Sequence, residues 1–313
     1  MSGVTNGLLD RQFLVVSGKG GVGRTTVSAV LARAAERLGK RVLLAQMDAP
    51  LGLSSLLGHP TPIGPEVVNL SKGLSAVNMN PRTALLQYAA MALHFESLAR
   101  ALLDNKAARA FLGAVPGLDA YAMLGKAWWH STEIQQGRPR YDLIVLDAPA
   151  SGHAMTMLKI PQAILDVMPS GPLGPDADAL VTLLKDPLRS AFVIVTRAED
   201  LPVREAAELA QRVRDELRLP LGPLFVNAVP PPFLDAPGMG KAPADADRSP
   251  LAQTLRTVNI LRNRRIDAVA QLARLTQKPG LPIIELPALP GADLGPVQIN
   301  ELAALVQART SSS

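Results

Sequence analysis

Two kinds of hydrophobic run alternate along this chain. Short apolar blocks stop abruptly at a glycine, aspartate, asparagine or proline, and between them lie longer stretches in which apolar residues recur every three or four positions. The blocks Phe13–Val16, Val42–Gln46, Gly73–Met79, Tyr141–Leu146, Ala191–Thr196 and Leu224–Asn227 predict strands, most of them buried on both faces. Over Thr25–Leu38, residues Val27, Val30, Leu31, Ala34 and Leu38 share one helical face, and Gly39 is a natural C′ stop. Further helices are predicted from Leu201 to about Leu217, from about Leu251 to Gln277, and to about Gln307. Strands alternating with helices predict an α/β fold, with a mostly parallel twisted sheet flanked by helices.

Two stretches depart from that rhythm. From Pro81 to about His130 the pattern is helical, broken by Pro116-Gly117, which predicts a helical subdomain inserted into the sheet topology. Its apolar residues are read first as core, because any helical layer must bury a face. Val229–Pro250, with Pro230-Pro231-Pro232, Gly238, Gly240 and Pro243, predicts a mobile loop. Residues 1–11 form a lead-in whose Leu8 and Leu9 would pack under the sheet. The whole of 1–313 is expected to be one domain of this kind.

Gly18-Lys19-Gly20-Gly21-Val22-Gly23-Arg24-Thr25-Thr26 joins the first strand to the first helix. Strand, glycine-rich turn and helix are what a phosphate-binding loop requires. The glycines let backbone N–H groups converge, and the helix N-terminus adds the positive end of its dipole. The spacing fits the P-loop pattern G-x-x-x-x-G-K-[ST] except at Arg24, which stands where the pattern has lysine. Candidate phosphate-binding residues are therefore Gly18, Lys19, Gly20, Gly21, Val22, Gly23, Arg24, Thr25 and Thr26.

Two strands then end in carboxylates. Asp48 follows the second strand, where it can orient a water or serve magnesium; the alternative is a helix-capping or turn aspartate. Asp147 closes Asp142-Leu143-Ile144-Val145-Leu146-Asp147, the Walker B arrangement in which a carboxylate holds magnesium directly or through water. Thr25, Asp48 and Asp147 are the candidate magnesium residues, and Asp48, Lys19 and Arg24 the candidate catalytic ones. Asn227 closes its strand, where the plain reading is a turn residue.

Composition narrows the classes. The chain has 313 residues, 48% hydrophobic and 19% charged, with a net charge of +5 and no cysteine. Without cysteine there is neither a thiolate metal site nor a disulfide framework. The mild positive charge is spread out, so nucleic acid is not an expected partner. Neither a secretory signal nor a membrane-length apolar run is visible, so a soluble, cytoplasmic protein is expected. Arg256, Arg262, Arg264 and Arg265 fall on one predicted helix and read as a solvated face.

Lys19, directly after the first glycine, is the mark of the deviant P-loop ATPases, a group that includes the MinD, ParA, nitrogenase iron-protein and ArsA relatives. Asp147-Ala148-Pro149-Ala150-Ser151-Gly152-His153 resembles the Asp-Thr-Ala-Pro-Thr-Gly-His-Thr switch of the ArsA family, shortened by one residue. Asp48, Leu53 and Ser54 match that family's Asp-Pro-Ala-His-Asn-Leu-Ser-Asp segment. The ArsA family includes arsenical pump ATPases and targeting ATPases for tail-anchored proteins. The resemblance covers nearly the whole chain. It implies ATP and Mg2+ as cofactors, Asp48 on the attacking water, Asp147 on magnesium, Asn227 and the loop at Pro287 around the base, and a dimer in which Lys19 reaches the partner's nucleotide. Homodimer and heterodimer with a paralogue both stay open, as does a protein client or membrane partner.

Two departures qualify this. The absence of cysteine removes the family's thiolate arsenite site and its paired-cysteine zinc clamp, so arsenite pumping is not expected. Arg24 is longer and planar where lysine is a compact point charge, which would weaken γ-phosphate stabilisation. Two readings follow: a slowly hydrolysing, nucleotide-switched ATPase, or a nucleotide-binding regulatory subunit with little turnover.

Overall fold

Alternation along the central strands sends side chains into two separate cores, one on each face of a single eight-stranded sheet. The computed structural model describes residues 7–49, 52–81, 83–85, 87–88, 117–171, 173–229, 250–275, 280–289 and 294–311. In chain order these form β1 (Phe13–Gly18), α1 (Arg24–Arg37), β2 (Val42–Met47), α2 (Gly52–Leu57), β3 (Val68–Asn69), β4 (Leu74–Met79), α3 (Leu118–Thr132), the hairpin β5 (Ile134–Gln135) and β6 (Arg138–Pro139), and β7 (Leu143–Asp147). The second half contributes α4 (Ser151–Val167), α5 (Gly174–Lys185), β8 (Ser190–Arg197), α6 (Asp200–Arg212), β9 (Leu221–Val229), α7 (Pro250–Leu275), β10 (Ile283–Pro287) and α8 (Pro296–Ser311).

The strand order is β10-β9-β8-β1-β7-β2-β4-β3, parallel throughout except for the short edge strand β3. Phe13, Val15, Leu43, Ala45, Ile144 and Leu146 face the core under α3–α7. Leu14, Val16, Val42, Leu44, Leu143 and Val145 face the core that α1, α2 and α8 cover. A strand buried on both faces has no polar side to show, which is why these segments read as unbroken apolar blocks. Leu8 and Leu9 are buried, as their pattern predicts.

The topology fixes where a ligand goes. After β1 the chain moves outward to β2 and β4; after β7 it crosses to β8 and continues to β9 and β10. The order therefore reverses around β1 and β7, and the crevice beyond their carboxyl ends is the natural binding site of such a sheet. At that end β1 and β8 approach so closely that a Cβ on Gly18 would stand 2.2 Å from the Val195 carbonyl oxygen.

Several elements differ from the sequence expectation. β9 continues to Val229, placing Asn227 inside a strand, because β10 pairs along its far side. α4 and α5, for which no helix was predicted, follow β7, and α4 carries Pro161 in its interior. α6 runs into a π-helical turn at Val213–Leu217, closed by Arg218 at φ 56°. In the stretch 81–130, residues 117–130 and those described between 81 and 88 are largely helical, and 89–116 lie outside the described residues, as does 230–249 of the predicted loop.

A buried polar knot ties α3 to residues 87–88, to the loop before β3 and to α5. Lys126 Nζ donates to the Pro65 carbonyl at 2.8 Å and to Gln87 Oε1 at 2.5 Å, and burial lowers its pKa. The Tyr88 and Tyr121 hydroxyls meet at 3.0 Å with their rings edge to face, and burial raises the pKa of both. Tyr88 also reaches Asp176 of α5 at 3.2 Å. The predicted solvated face of α7 is interrupted, since Arg265 pairs with Glu285 of β10 at 3.2 Å.

Phe13 is fully buried at the centre of the larger core. Phe13→Ala is expected to cost about 3–5 kcal/mol of stability. Urea unfolding followed by circular dichroism checks this; a midpoint that does not move would mean that this core collapses around the cavity.

Candidate functional site

The loop at 18–26 opens at the carboxyl end of β1 and feeds α1. Gly21 and Gly23 adopt φ of 83° and 91°, in the left-handed region that side chains resist. Gly23 is doubly constrained, because a Cβ there would lie 2.0 Å from Asn227 Nδ2. α1 has no side-chain cap and no acidic residue in its first turn, so its leading N–H groups face the loop without a side-chain acceptor.

Asp147 ends β7 beside it and is 4% exposed. Three side chains donate to its carboxylate: Thr25 Oγ1 to Oδ2 at 2.7 Å, Gln46 Nε2 to Oδ2 at 3.1 Å, and Ser28 Oγ to Oδ1 at 3.2 Å. Burial raises the carboxyl pKa, while these donors and the nearby Arg24 charge oppose that rise. Gln46 Nε2 also lies 3.4 Å from Thr25 Oγ1. The other end of that amide, Oε1, is buried with no partner among the described residues. An acceptor stranded in this way costs about 1–3 kcal/mol.

The segment after Asp147 is held by the same strand and loop. Ala148 N–H donates to the Val16 carbonyl at 3.0 Å, Ser17 Oγ to the Pro149 carbonyl at 2.8 Å, and Arg24 Nη1 to the Ala148 carbonyl at 2.5 Å. Arg24 is half-buried, and desolvation lowers its pKa against the pull of Asp147. Guanidinium nevertheless stays charged at any working pH. The extra length of arginine over lysine lets it span from the loop to the Ala148 backbone.

Asp48 lies just past β2 with φ 41°, an uncommon conformation that aspartate tolerates, and its side chain is exposed. Its N–H donates to the Met79 carbonyl at 2.7 Å, and Asn78 clamps the following residue through Nδ2 to the Ala49 carbonyl at 2.9 Å. Pro50 and Leu51 lie outside the described residues. Lys19 forms an ion pair within its own chain, Nζ to Glu205 Oε1 of α6 at 2.7 Å, with the two side chains 34% and 35% exposed. Asn227 Nδ2 donates to the Val22 carbonyl at 3.0 Å, tying the loop to β9. Pro287 ends β10 opposite Val229, after a register shift, so it and Asn227 share one corner of the site.

The structure thus gathers Gly18–Thr26, Asp147, Asn227 and Pro287 at one end of the sheet, with Asp48 on the adjoining strand end. Ser28, Gln46, Asn78 and Glu205 belong to the same neighbourhood and escape the sequence reading. Ser28 sits one turn after Thr25 and was findable from helical spacing. Gln46 ends an apolar block, where its amide has no local signature.

A mostly parallel sheet flanked by helices, with a glycine-rich loop between its first strand and first helix, is the α/β fold of a P-loop NTPase. The family model of anion-transporting ATPases matches residues 11–170, and this chain belongs to that family, the ArsA ATPases. ATPase BagA of Mycobacterium tuberculosis is 28% identical over 304 residues, covering 90% of this chain and 88% of that protein. An arsenical pump-driving ATPase of Escherichia coli is 29% identical over 226 residues, 66% of this chain but 36% of its own length. ATPase GET3 of Kluyveromyces lactis is 28% identical over 160 residues, 49% of this chain and 46% of that protein. No helix among the described residues is long and apolar enough to cross a membrane.

Removing the Asn227 amide frees the Val22 carbonyl. Asn227→Ala is expected to speed amide exchange across Gly20–Thr26 by about tenfold, the equivalent of one hydrogen bond at roughly 1.4 kcal/mol. Hydrogen–deuterium exchange read by mass spectrometry checks it, and unchanged loop protection would show that other contacts fix the loop.

Proposed function

We propose that this chain is a nucleotide-switched ATPase. In this reading it binds Mg-ATP in the Gly18–Thr26 loop, hydrolyses it slowly, and acts as a dimer on a protein client or membrane partner. The observation that carries this reading is the bond from Thr25 Oγ1 to Asp147 Oδ2 at the mouth of an uncapped helix. It joins the phosphate loop to the strand end that would sense the nucleotide.

Magnesium suits this donor set. A hydroxyl and a carboxylate lie side by side, and the neighbouring Gln46 oxygen lacks a donor. No cluster of three or more His, Cys, Asp or Glu able to hold a metal occurs among the described residues, which accords with a cation that takes most of its ligands from phosphate and water. Thr25 and Asp147 would hold it, and when bound it supplies neutralising charge to the phosphates. Asp48 would orient the attacking water. Asn227 keeps its amide oxygen and second N–H for a base edge near Pro287.

Arg24 supports the second reading, a nucleotide-binding subunit with little turnover. Its guanidinium is engaged with the Ala148 carbonyl, and phosphoryl transfer depends on cations aimed at the transferring group. The two readings part on rate. Calorimetry with Mg-ATP and Mg-ADP should give binding in either case, and its absence would sink both. If the chain turns over, Asp48→Asn should remove most ATPase activity while leaving affinity nearly intact. If it does not, Arg24→Lys should raise turnover by about tenfold or more, each tenfold being 1.36 kcal/mol off the barrier. A fall in turnover with Arg24→Lys would mean that arginine is built into this site.

For Lys19 to reach a partner's nucleotide it must leave Glu205. A part-exposed ion pair contributes about 0–1 kcal/mol, so the hold is light. Glu205→Gln is expected to lower the protein concentration at which a non-hydrolysable ATP analogue promotes a dimer, by up to about fivefold. Sedimentation velocity checks this. A monomer at every concentration, with any paralogue included, would overturn the dimer reading.

A further inference from the structure

β2 is buried on both faces, and position 46 lies on the side where Val42 and Leu44 pack into the apolar core. A methionine or leucine would suit that place. The residue is instead glutamine, 1% exposed. The parallel register sets Gln46 directly beside Asp147 of β7, so amide and carboxylate stand together on the same face of the sheet. An ionised carboxylate only accepts hydrogen bonds, so the nitrogen end of the amide turns to Asp147 Oδ2 at 3.1 Å. Oε1 is left buried and without a donor among the described residues.

The surroundings show what that oxygen lacks. Thr25 directs its hydroxyl proton to Asp147 Oδ2 at 2.7 Å, and Ser28 directs its own to Asp147 Oδ1 at 3.2 Å. Both hydroxyls beside the carboxylate are therefore already committed, and the donor that Oε1 lacks comes from outside the described residues. Magnesium retains several of its waters when it binds through one or two protein oxygens and phosphate. A cation-bound water is a polarised, strong donor, and outer-shell acceptors orient such groups around metals.

We propose that Gln46 is a positioning residue for the divalent cation. Nε2 fixes the Asp147 carboxylate, and Oε1 accepts a hydrogen bond from a water of the magnesium that arrives with nucleotide. The inference rests on the magnesium–nucleotide reading above and adds a residue to it. It predicts that Gln46 governs how much magnesium strengthens nucleotide binding, not the binding of the nucleotide itself.

The test is calorimetric titration of the full chain with ADP, which removes turnover from the measurement, once in magnesium and once in EDTA. The ratio of the two dissociation constants is the readout. Gln46→Met keeps the shape of the side chain and removes both polar ends. It is expected to reduce the magnesium enhancement by about 10–100-fold, leaving the affinity in EDTA unchanged. Gln46→Glu separates the two halves of the proposal. It loses the donor to Asp147 but keeps an acceptor oxygen, and its added charge favours the cation, so the enhancement should be held or increased. If Gln46 only braces Asp147, both variants lose the enhancement together, and the proposal is overturned. An enhancement in Gln46→Met equal to that of the unmutated protein overturns it too. Should Gln46→Met fail to fold, Gln46→Leu, which also lacks both polar ends, is titrated in its place and read against the same two outcomes. Absence of ADP binding by the unmutated protein would instead remove the nucleotide reading, and this proposal with it.

Discussion

One buried carboxylate organises this end of the molecule. Asp147 sits in the crevice where the strand order reverses, almost fully removed from water, and a charge in that position is tolerable only when surrounded by donors. Thr25 and Ser28 come from α1, and Gln46 comes from β2. The glycine loop is thus bonded to the strand that precedes the segment 148–150. Anything that reorganises the donors around Asp147 is felt in the loop, in α1 and in the segment 148–150 together.

That segment carries a second set of ties. Val16, Ser17 and Arg24 hold Ala148 and Pro149 through their backbones. Arginine at the position of the usual lysine is best understood in this setting. A lysine ammonium is a compact cation aimed at phosphate, whereas a guanidinium spreads its donors in a fork that also reaches a backbone carbonyl. In this chain the fork links the glycine loop to the backbone that follows Asp147.

Lys19 shows how a surface charge is stored. Its ion pair with Glu205 is part-exposed and therefore weak, so it restrains the side chain without fixing it. The pairing also moves the lysine from an orphan loop charge to a contact between the phosphate loop and α6, which follows β8 on the far side of β1.

The fold class was legible in the sequence, and so were most of the residues that the structure gathers at the carboxyl end of the sheet. Strands buried on both faces must be apolar throughout, and the loop of a parallel sheet must be glycine-rich to bring backbone amides onto phosphate; both signals are local and survive in a single chain. Asp147 was legible because a charge at the end of an apolar block is conspicuous. What those residues touch was not legible in the chain. That Gln46 stands beside Asp147 depends on β2 lying next to β7, a neighbour far away in sequence. That Lys19 meets Glu205 and Asn227 meets Val22 depends on β8 and β9 being laid down on the other side of β1. Pairings across a sheet are set by strand order and register, which emerge from the packing of both cores at once, and no local pattern of residues encodes them.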